Sequence, residues 1–508
     1  MKFKWEGVMP AVTTKFTKED TLDLELFLKN INSQLDAGVH GIVLGGTLGE
    51  ASTLDDSEKR ILTRETVKFV AGKVPVMMNI AEQTTKGAIM AANKAEEDGA
   101  SGLMMLPPMR YSAGNREVVE YFKAVALNSA LPIMVYNNPV DYKTEVSLDM
   151  FEELADSIDA VIVSTPDHTH APASIMAMEL NKSVYCQKPL THHVSEARAM
   201  QKLAKEKNLI TQMGIQVHSF YDYKLATILI QSGIIGKVSR VRAWSPKNWG
   251  YDGDKPLGED NIPANLDWNL WLGTAPERPY KDKIYHPGNW RKIVDYGCGT
   301  LGDMGVHIFD TPYNALELDV PLTIKNNCRK PNEFGFPERN SVTYEFPGTK
   351  YTTEKLEWIW QDGSGAPKNH RDLKLPNKDK LPLQGAMFIG EKGRLLLPHF
   401  MELPKHIVDG KYVDLDLSEF ENSGQITDQP VRDYGGESYL HYHQFVDACL
   451  GKDTCTAPFS YSARLTETIL LGVIAGRFPG KTLNWDNKLA KFKEEEANQF
   501  LDSPYREF

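Results

Sequence analysis

Apolar and polar positions alternate in two different registers along this chain. Up to about residue 236, short apolar runs are separated by stretches whose apolar residues recur at helical spacing. GVMPAVTT (7–14), GIVLGG (41–46), VPVMMNI (74–80), SGLMMLPP (101–108) and LPIMVY (131–136) read as buried strands. LDLELFLKNINSQL, DDSEKRILTRETVKFV, TKGAIMAANKAEEDG, NREVVEYFKAVA and SLDMFEELAD read as the helices after them. DAVIVS (159–164), SVYCQK (183–188) and LITQMG (209–214) continue the alternation, each followed by a further helical stretch. Eight β-α units predict a parallel sheet covered by helices. Beyond residue 236 the period falls to two. KVSRVRAWSP and SVTYEF alternate face by face, and AMFIGEKGRLLL (386–397) reads as a hairpin turning at Glu391–Gly393. Two helices are expected near 437–450 and 461–476. The expected class is α/β plus α+β: a hybrid parallel β/α domain of eight units, then an α+β domain with a largely antiparallel sheet.

Composition narrows the function. The chain has 508 residues, room for several domains, and a net charge of −11. That charge argues against a nucleic-acid or anionic-membrane partner and leaves small molecules in a local pocket. No apolar run reaches the length of a membrane span, and MKFKWEGVMPAV lacks the apolar core of a signal peptide, so a cytoplasmic protein is expected. The five cysteines are scattered, with no C-x-x-C, as in a reducing compartment. His168, His170, His192 and His193 lie close in sequence, but no carboxylate or thiolate spacing completes a metal site, and none is expected.

Gly297, Gly299 and Gly302 form a literal G-x-G-x-x-G, the spacing that brings backbone N–H groups to a diphosphate. The preceding WRKIVDY is a poor buried strand, apolar at its heart only in Ile293 and Val294. Asp303 and His307 then stand where a cradle takes small residues. The glycines are therefore expected to bring backbone close to a substrate rather than to grip a nucleotide. Asp303 and His307 are four apart, on one face of a helix, where a carboxylate can orient an imidazole that takes a hydroxyl proton.

GVMPAVTTKF, GGTLGEAST (45–53), LPPMRY (106–111) and YNNP (136–139) resemble the dihydrodipicolinate synthase/N-acetylneuraminate lyase family over residues 5–156. The resemblance implies a partial (β/α) barrel whose Thr47 and Tyr136 face a keto-acid substrate. Leu48 stands where that family has a second Thr or Ser, and Ser164 where it has its Schiff-base lysine. From residue 158 onward the chain resembles the Gfo/Idh/MocA oxidoreductases. The carriers are AVIVSTPDHTH (160–170), CQKPL (186–190), QMGIQVHS (212–219), DWNLWLG (267–273), YHPGNWR (285–291), GDMGVHIFD (302–310) and TLNWD (482–486). That family uses NAD or NADP on a Rossmann domain and acts on sugars. The resemblance implies Lys188, Asp303 and His307 as catalytic residues. It places Thr165, Pro166, His170, Lys188, Pro189 and Gln216 at the cofactor, and Trp290 and Arg291 at the substrate. Gln187 replaces that family's Glu and Ile215 its Asn. The first β-α-β segment, with the nucleotide fingerprint, is missing, so cofactor binding is expected to be weak.

Three domains are expected: a partial barrel (1–157), the C-terminal half of a Rossmann-like domain (158–235) and an α+β substrate domain (236–508). Strand six is expected to pair with strand five, and strand eight with strand one. The alternative is an open sheet beside a separate half barrel. The leading function is an NAD(P)-dependent oxidoreductase acting on a sugar or sugar derivative. The alternatives are a Schiff-base lyase and an inactive fusion of the two. Both resemblances imply a homo-oligomer.

Overall fold

The computed structural model describes residues 8–108, 113–137, 144–154, 160–264, 266–285, 288–422 and 434–506. The expected junction at 157 lies outside these residues, as do Met109–Tyr111 of LPPMRY, Asn138 and Pro139 of YNNP, and His286 and Pro287 of YHPGNWR. The chain divides into two compact units. Unit 1 is Met1–Asp159 with Pro263–Asp267, and unit 2 is Ala160–Ile262 with Trp268–Phe508.

Unit 1 is a parallel sheet in the order β1 (Ile42–Leu44), β2 (Val76–Ile80), β3 (Gly102–Met105), β4 (Ile133–Val135). Val8–Thr14 runs beside β1, where Val12 N donates to Val43 O and Val43 N to Pro10 O. The strands bury both faces. Ile42, Leu44, Met78, Ile80, Leu103 and Met105 pack under the helices, and Val43, Met77, Met104 and Leu106 form a second cluster on the opposite face. Local chemistry starts each helix. Asp23 caps α1 (Leu24–Asp36), and Thr84 caps α3 (Thr85–Glu97). Asp55 and Glu58 form a reciprocal capping box on α2 (Asp56–Val70). α4 (Asn115–Leu127) and α5 (Leu148–Leu154) complete the unit.

Unit 2 opens with a three-stranded parallel sheet, β5 (Ala160–Val163), β6 (Ser183–Gln187) and β7 (Thr211–Gly214). Three helices follow these strands in turn: α6 (His170–Glu179), α7 (Val194–Glu206) and α8 (Tyr221–Gln231). A ten-stranded sheet comes next. It is built from β8 (Val238–Ser245), β9 (Thr323–Asn327), β10 (Ser341–Pro347), β11 (Thr352–Asp362), β12 (Gly385–Gly390), β13 (Arg394–Pro398), β14 (Lys405–Val408), β15 (Lys411–Val413), β16 (Thr482–Asp486) and β17 (Lys491–Phe492). The order is β15-β14-β13-β12-β8-β11-β10-β9-β16-β17, antiparallel except for β8 beside β11. α9 (Val306–Ala315), α10 (Tyr434–Cys449) and α11 (Phe459–Ala475) are its main helices. Phe309 of α9 packs on Trp358 of β11 with ring centres 4.3 Å apart.

The strands form separate parallel sheets of four and three, where one sheet of eight units was expected. The three have partners of their own downstream. Met213 N on β7 donates to Ala457 O. Arg198 on α7 grips the fully buried Glu467 of α11, its Nε and Nη2 donating at 2.9 and 2.6 Å. These strands are fixed by partners hundreds of residues downstream. Among the described residues β5 is an edge strand, its Ile162 59% exposed, although its sequence is that of a buried central strand.

Candidate functional site

Most of the expected site residues converge in unit 2, at the C-terminal ends of β5 and β6. Lys188 follows the last residue of β6. Its ammonium donates to Asp303 Oδ1 at 2.7 Å and to the Asp303 carbonyl at 3.0 Å. Arg291 adds a second cation, its Nε lying 3.3 Å from the same carboxylate oxygen. The guanidinium of Arg291 stacks on Trp290, 4.3 Å from the ring centre, with Trp249 at 5.6 Å.

Asp303 lies in a π-helical turn, Leu301–Gly305, that leads into α9. Such turns are rare and concentrate at functional sites. The carboxylate does not orient His307 by a hydrogen bond, as the i, i+4 spacing suggested; Lys188 and Arg291 claim it instead. His307 Nδ1 is buried and makes no hydrogen bond among the described residues. Burial first, then the Lys188 and His399 charges, depress the His307 pKa well below the usual imidazole value, against the pull of Asp303. Burial pushes Asp303 upward, but Lys188 outweighs it and leaves the carboxylate below its ordinary pKa. The cluster is thus an ion pair beside an uncharged imidazole.

Sequence reasoning missed three neighbours. Asp167 is buried and raised to about 7 by burial, against the pull of Lys188. It stands inside the quoted STPDHTH, so its position was visible but its role was not. His399 has its ring centre 6.0 Å from that of His307, and its Nδ1 is bonded to the Tyr223 hydroxyl. Tyr442 of α10 accepts hydrogen bonds from Gln216 at 2.9 Å and from Gln187 at 3.3 Å. No spacing in the sequence links His399 or Tyr442 to the cluster.

A dinucleotide needs a cradle for its diphosphate as well as a place for its nicotinamide. Thr165 and Pro166 follow β5, and Lys188 and Pro189 follow β6. His170 is spent on joining them: Nδ1 is 2.8 Å from Pro189 O and Nε2 is 2.8 Å from Thr165 O. On the other side, β5 has no partner on its outer edge among the described residues, so no strand-to-helix turn there presents N–H groups to a diphosphate. Gly297–Gly302 does not replace it. A Cβ on Gly297 would lie 2.6 Å from Arg291 Cα, one on Gly299 2.9 Å from the Phe336 ring, and one on Gly302 2.2 Å from Cys298 Cβ. These glycines are thus explained by close packing of the protein against their own backbone. The residues present do not fit a whole NAD(P) molecule.

Thr47 and Tyr136 belong to unit 1. They lie at the C-terminal ends of β1 and β4, separated by β2 and β3. Thr47 is exposed in a tight turn, Thr47–Gly49, where Gly45 takes φ +61 and Gly49 sits with its Cβ position 2.7 Å from Val12 O. Tyr136 is 38% exposed. None of the four strands carries a lysine, and Ser164, just past β5, is exposed. Among the described residues no group of three or more His, Cys, Asp or Glu is gathered to hold a metal, and no helix is long and apolar enough to cross a membrane.

Comparison with known proteins matches two segments to two families. Residues 4–165 match the Dihydrodipicolinate synthetase family. Residues 222–346 match the Oxidoreductase family, C-terminal alpha/beta domain. The chain is 34% identical over 158 residues to a 4-hydroxy-tetrahydrodipicolinate synthase of Methanococcoides burtonii, covering 31% of this chain and 53% of that protein. It is 35% identical over 133 residues to the Bacillus subtilis enzyme of the same name, covering 26% and 46%. The chain spans about half the length of the curated relatives it matches. A solved dihydrodipicolinate synthase from Aquifex aeolicus aligns with 28% identity over 39% of this chain and 67% of that one, with a TM-score of 0.33.

Proposed function

We propose that unit 2 is the substrate-handling part of a Gfo/Idh/MocA-type oxidoreductase, and that it binds a sugar-like polyhydroxyl compound beside Lys188, Asp303 and His307. The observation that carries this is the Lys188–Asp303 pair at 2.7 Å next to an uncharged His307. An uncharged imidazole can accept a proton from a substrate hydroxyl, and the ammonium can donate a hydrogen bond to the oxygen left behind. The downstream match to the oxidoreductase C-terminal domain supports the same assignment.

Among the described residues no strand-to-helix turn supplies the nucleotide half of such an enzyme. Charge-assisted hydrogen bonds contribute about 1.5–3 kcal/mol each, so losing two weakens a dinucleotide site by about a hundredfold or more. The chain therefore binds its polyol but holds NAD(P) poorly. Saturation-transfer NMR with myo-inositol and glucose tests the first half: signal is expected for the wild type and lost in Lys188→Met. NADH fluorescence tests the second: no saturable enhancement is expected below millimolar cofactor. Polyol signal that survives Lys188→Met would overturn the site, and micromolar NADH binding would overturn the loss of the nucleotide half.

A second reading is a fusion in which both parental activities are gone. The edge position of β5, with Ile162 exposed, and Ser164 in place of a lysine favour it. Absence of any polyol signal in the folded protein decides for it.

A further inference from the structure

Away from this cluster, unit 2 encloses a cavity of about 200 Å³. Neither Lys188, Asp303 nor His307 is among its lining residues. A smaller cavity of about 30 Å³ adjoins it, and Val294, Cys298, Phe336, Val473 and Arg477 line both. Arg477 is the notable member. It follows α11, and its backbone N–H donates to Ile474 O at 2.8 Å. Its guanidinium makes no hydrogen bond and no ion pair among the described residues, and contacts the Phe500 ring face at 5.3 Å. Asp295 and Glu333 act on it only through space, and burial lowers its pKa.

Arg477 is partly buried, and with no protein partner among the described residues its guanidinium is open to an incoming anion. The acidic groups around the cavity are engaged elsewhere. Asp295 is bonded to Arg278. Glu196 Oε1 accepts from the Tyr505 hydroxyl at 2.8 Å, and burial raises its pKa to about 7. Asp502 accepts from Ser195 Oγ at 2.8 Å and is exposed. His168 and His193 are each held at about 4 by burial, and His192 is well below its usual value, so all three are uncharged at neutral pH. Arg477 supplies a cation that no carboxylate bonds among the described residues. Val294, Leu470, Val473 and Ile474 supply an apolar wall beside it.

We infer that this cavity is a binding site for a short-chain aliphatic monocarboxylate, with its carboxylate on Arg477 and its alkyl tail against Val294, Leu470, Val473 and Ile474. A planar guanidinium matches a carboxylate in a two-point fork. The apolar wall takes an alkyl tail and offers nothing to a hydrated inorganic anion. The site is independent of the polyol proposal, because no residue of that cluster lines it.

The probe is butyrate, with phosphate and chloride at matched ionic strength. Full-length wild-type protein is treated with phenylglyoxal, and arginine labelling is mapped by peptide mass. At ten times its half-saturating concentration butyrate fills about nine-tenths of the sites, so Arg477 labelling falls about tenfold. Labelling of Arg371, whose side chain is 82% exposed, stays constant. Butyrate also raises the thermal midpoint along a saturating curve that Arg477→Gln removes. Four results would overturn the inference: Arg477 that never labels, no protection by butyrate, equal protection by phosphate, or a butyrate shift that persists in Arg477→Gln. If that variant does not fold, the wild-type labelling decides alone.

Discussion

Acidification is expected to unfold unit 2 selectively. His168, His170, His193, His399 and His441 are each held at about 4 by burial. In the unfolded chain they titrate near 6.5. Below about pH 6.5 the unfolded chain takes up protons that the native unit refuses, so stability present above that pH is lost as the pH falls toward 4. Asp167, Glu196 and Asp362 have the opposite sign. Burial raises each to about 7, so the stability they contribute is full below about pH 4 and is lost as the pH rises through 7. Each group is worth at most about 1.4 kcal/mol per pH unit. Five imidazoles against three carboxyls leave a net loss of about 3 kcal/mol per unit of acidification. His192 and His307, lowered further, add to it. Moving from pH 6.5 to 5 thus costs about 4 kcal/mol, a large share of an ordinary domain's stability. Unit 1 contains one histidine, His40, and takes little part. Tryptophan fluorescence isolates the effect, because every tryptophan except Trp5 lies in unit 2. Urea titrations at pH 7.5 and pH 5 are expected to differ in midpoint by about 1 M or more. An equal or higher midpoint at pH 5 would refute the reasoning.

Other outcomes follow from single contacts. Glu467 is fully buried between Arg198 and Arg464 and accepts from Trp485 Nε1 at 3.1 Å; Glu467→Gln takes from Arg198 its carboxylate, while Arg464 keeps Asp319 at 2.7 Å, and is expected to cost about 3 kcal/mol in urea unfolding. Ile162→Lys on the open edge of β5 is expected to change stability by less than about 0.5 kcal/mol. The same change at Val184 on β6, which is fully buried, unfolds unit 2; a large loss from Ile162→Lys would mean that β5 is covered in solution. Asp303→Asn removes the counter-ion of Lys188 and is expected to abolish the myo-inositol signal while leaving the urea midpoint within about 1 M of wild type. Borohydride reduction with pyruvate is expected to leave the intact mass unchanged, because a serine hydroxyl at Ser164 cannot form an imine; a trapped adduct revives lyase chemistry.

Local features were largely legible in the sequence. Seven of the eight apolar runs became β1 to β7, while GVMPAVTT makes only a single bridge, Ala11 to Val43; AMFIGEKGRLLL became the β12–β13 hairpin with its turn at the expected place. SVTYEF is β10, paired with β9 and β11. Long-range pairing was not legible. Nothing local to β7 or α7 points to Ala457 or Glu467, the residues that Met213 and Arg198 reach. The site shows the same division. Lys188, Asp303 and His307 could be picked out as residue types. That the Asp303 carboxylate goes to Lys188, 115 residues earlier, rather than to His307 depends on how a π-helical turn meets the end of a strand. Arg477 carried no pattern, since a missing partner leaves no trace in spacing.

Arg198, Arg464 and Trp485 all end on Glu467, so one carboxylate ties the three-stranded sheet to the far end of the chain. A truncation that removes α11 is expected to release that sheet as well, whereas one that ends beyond Trp485 keeps the clasp whole.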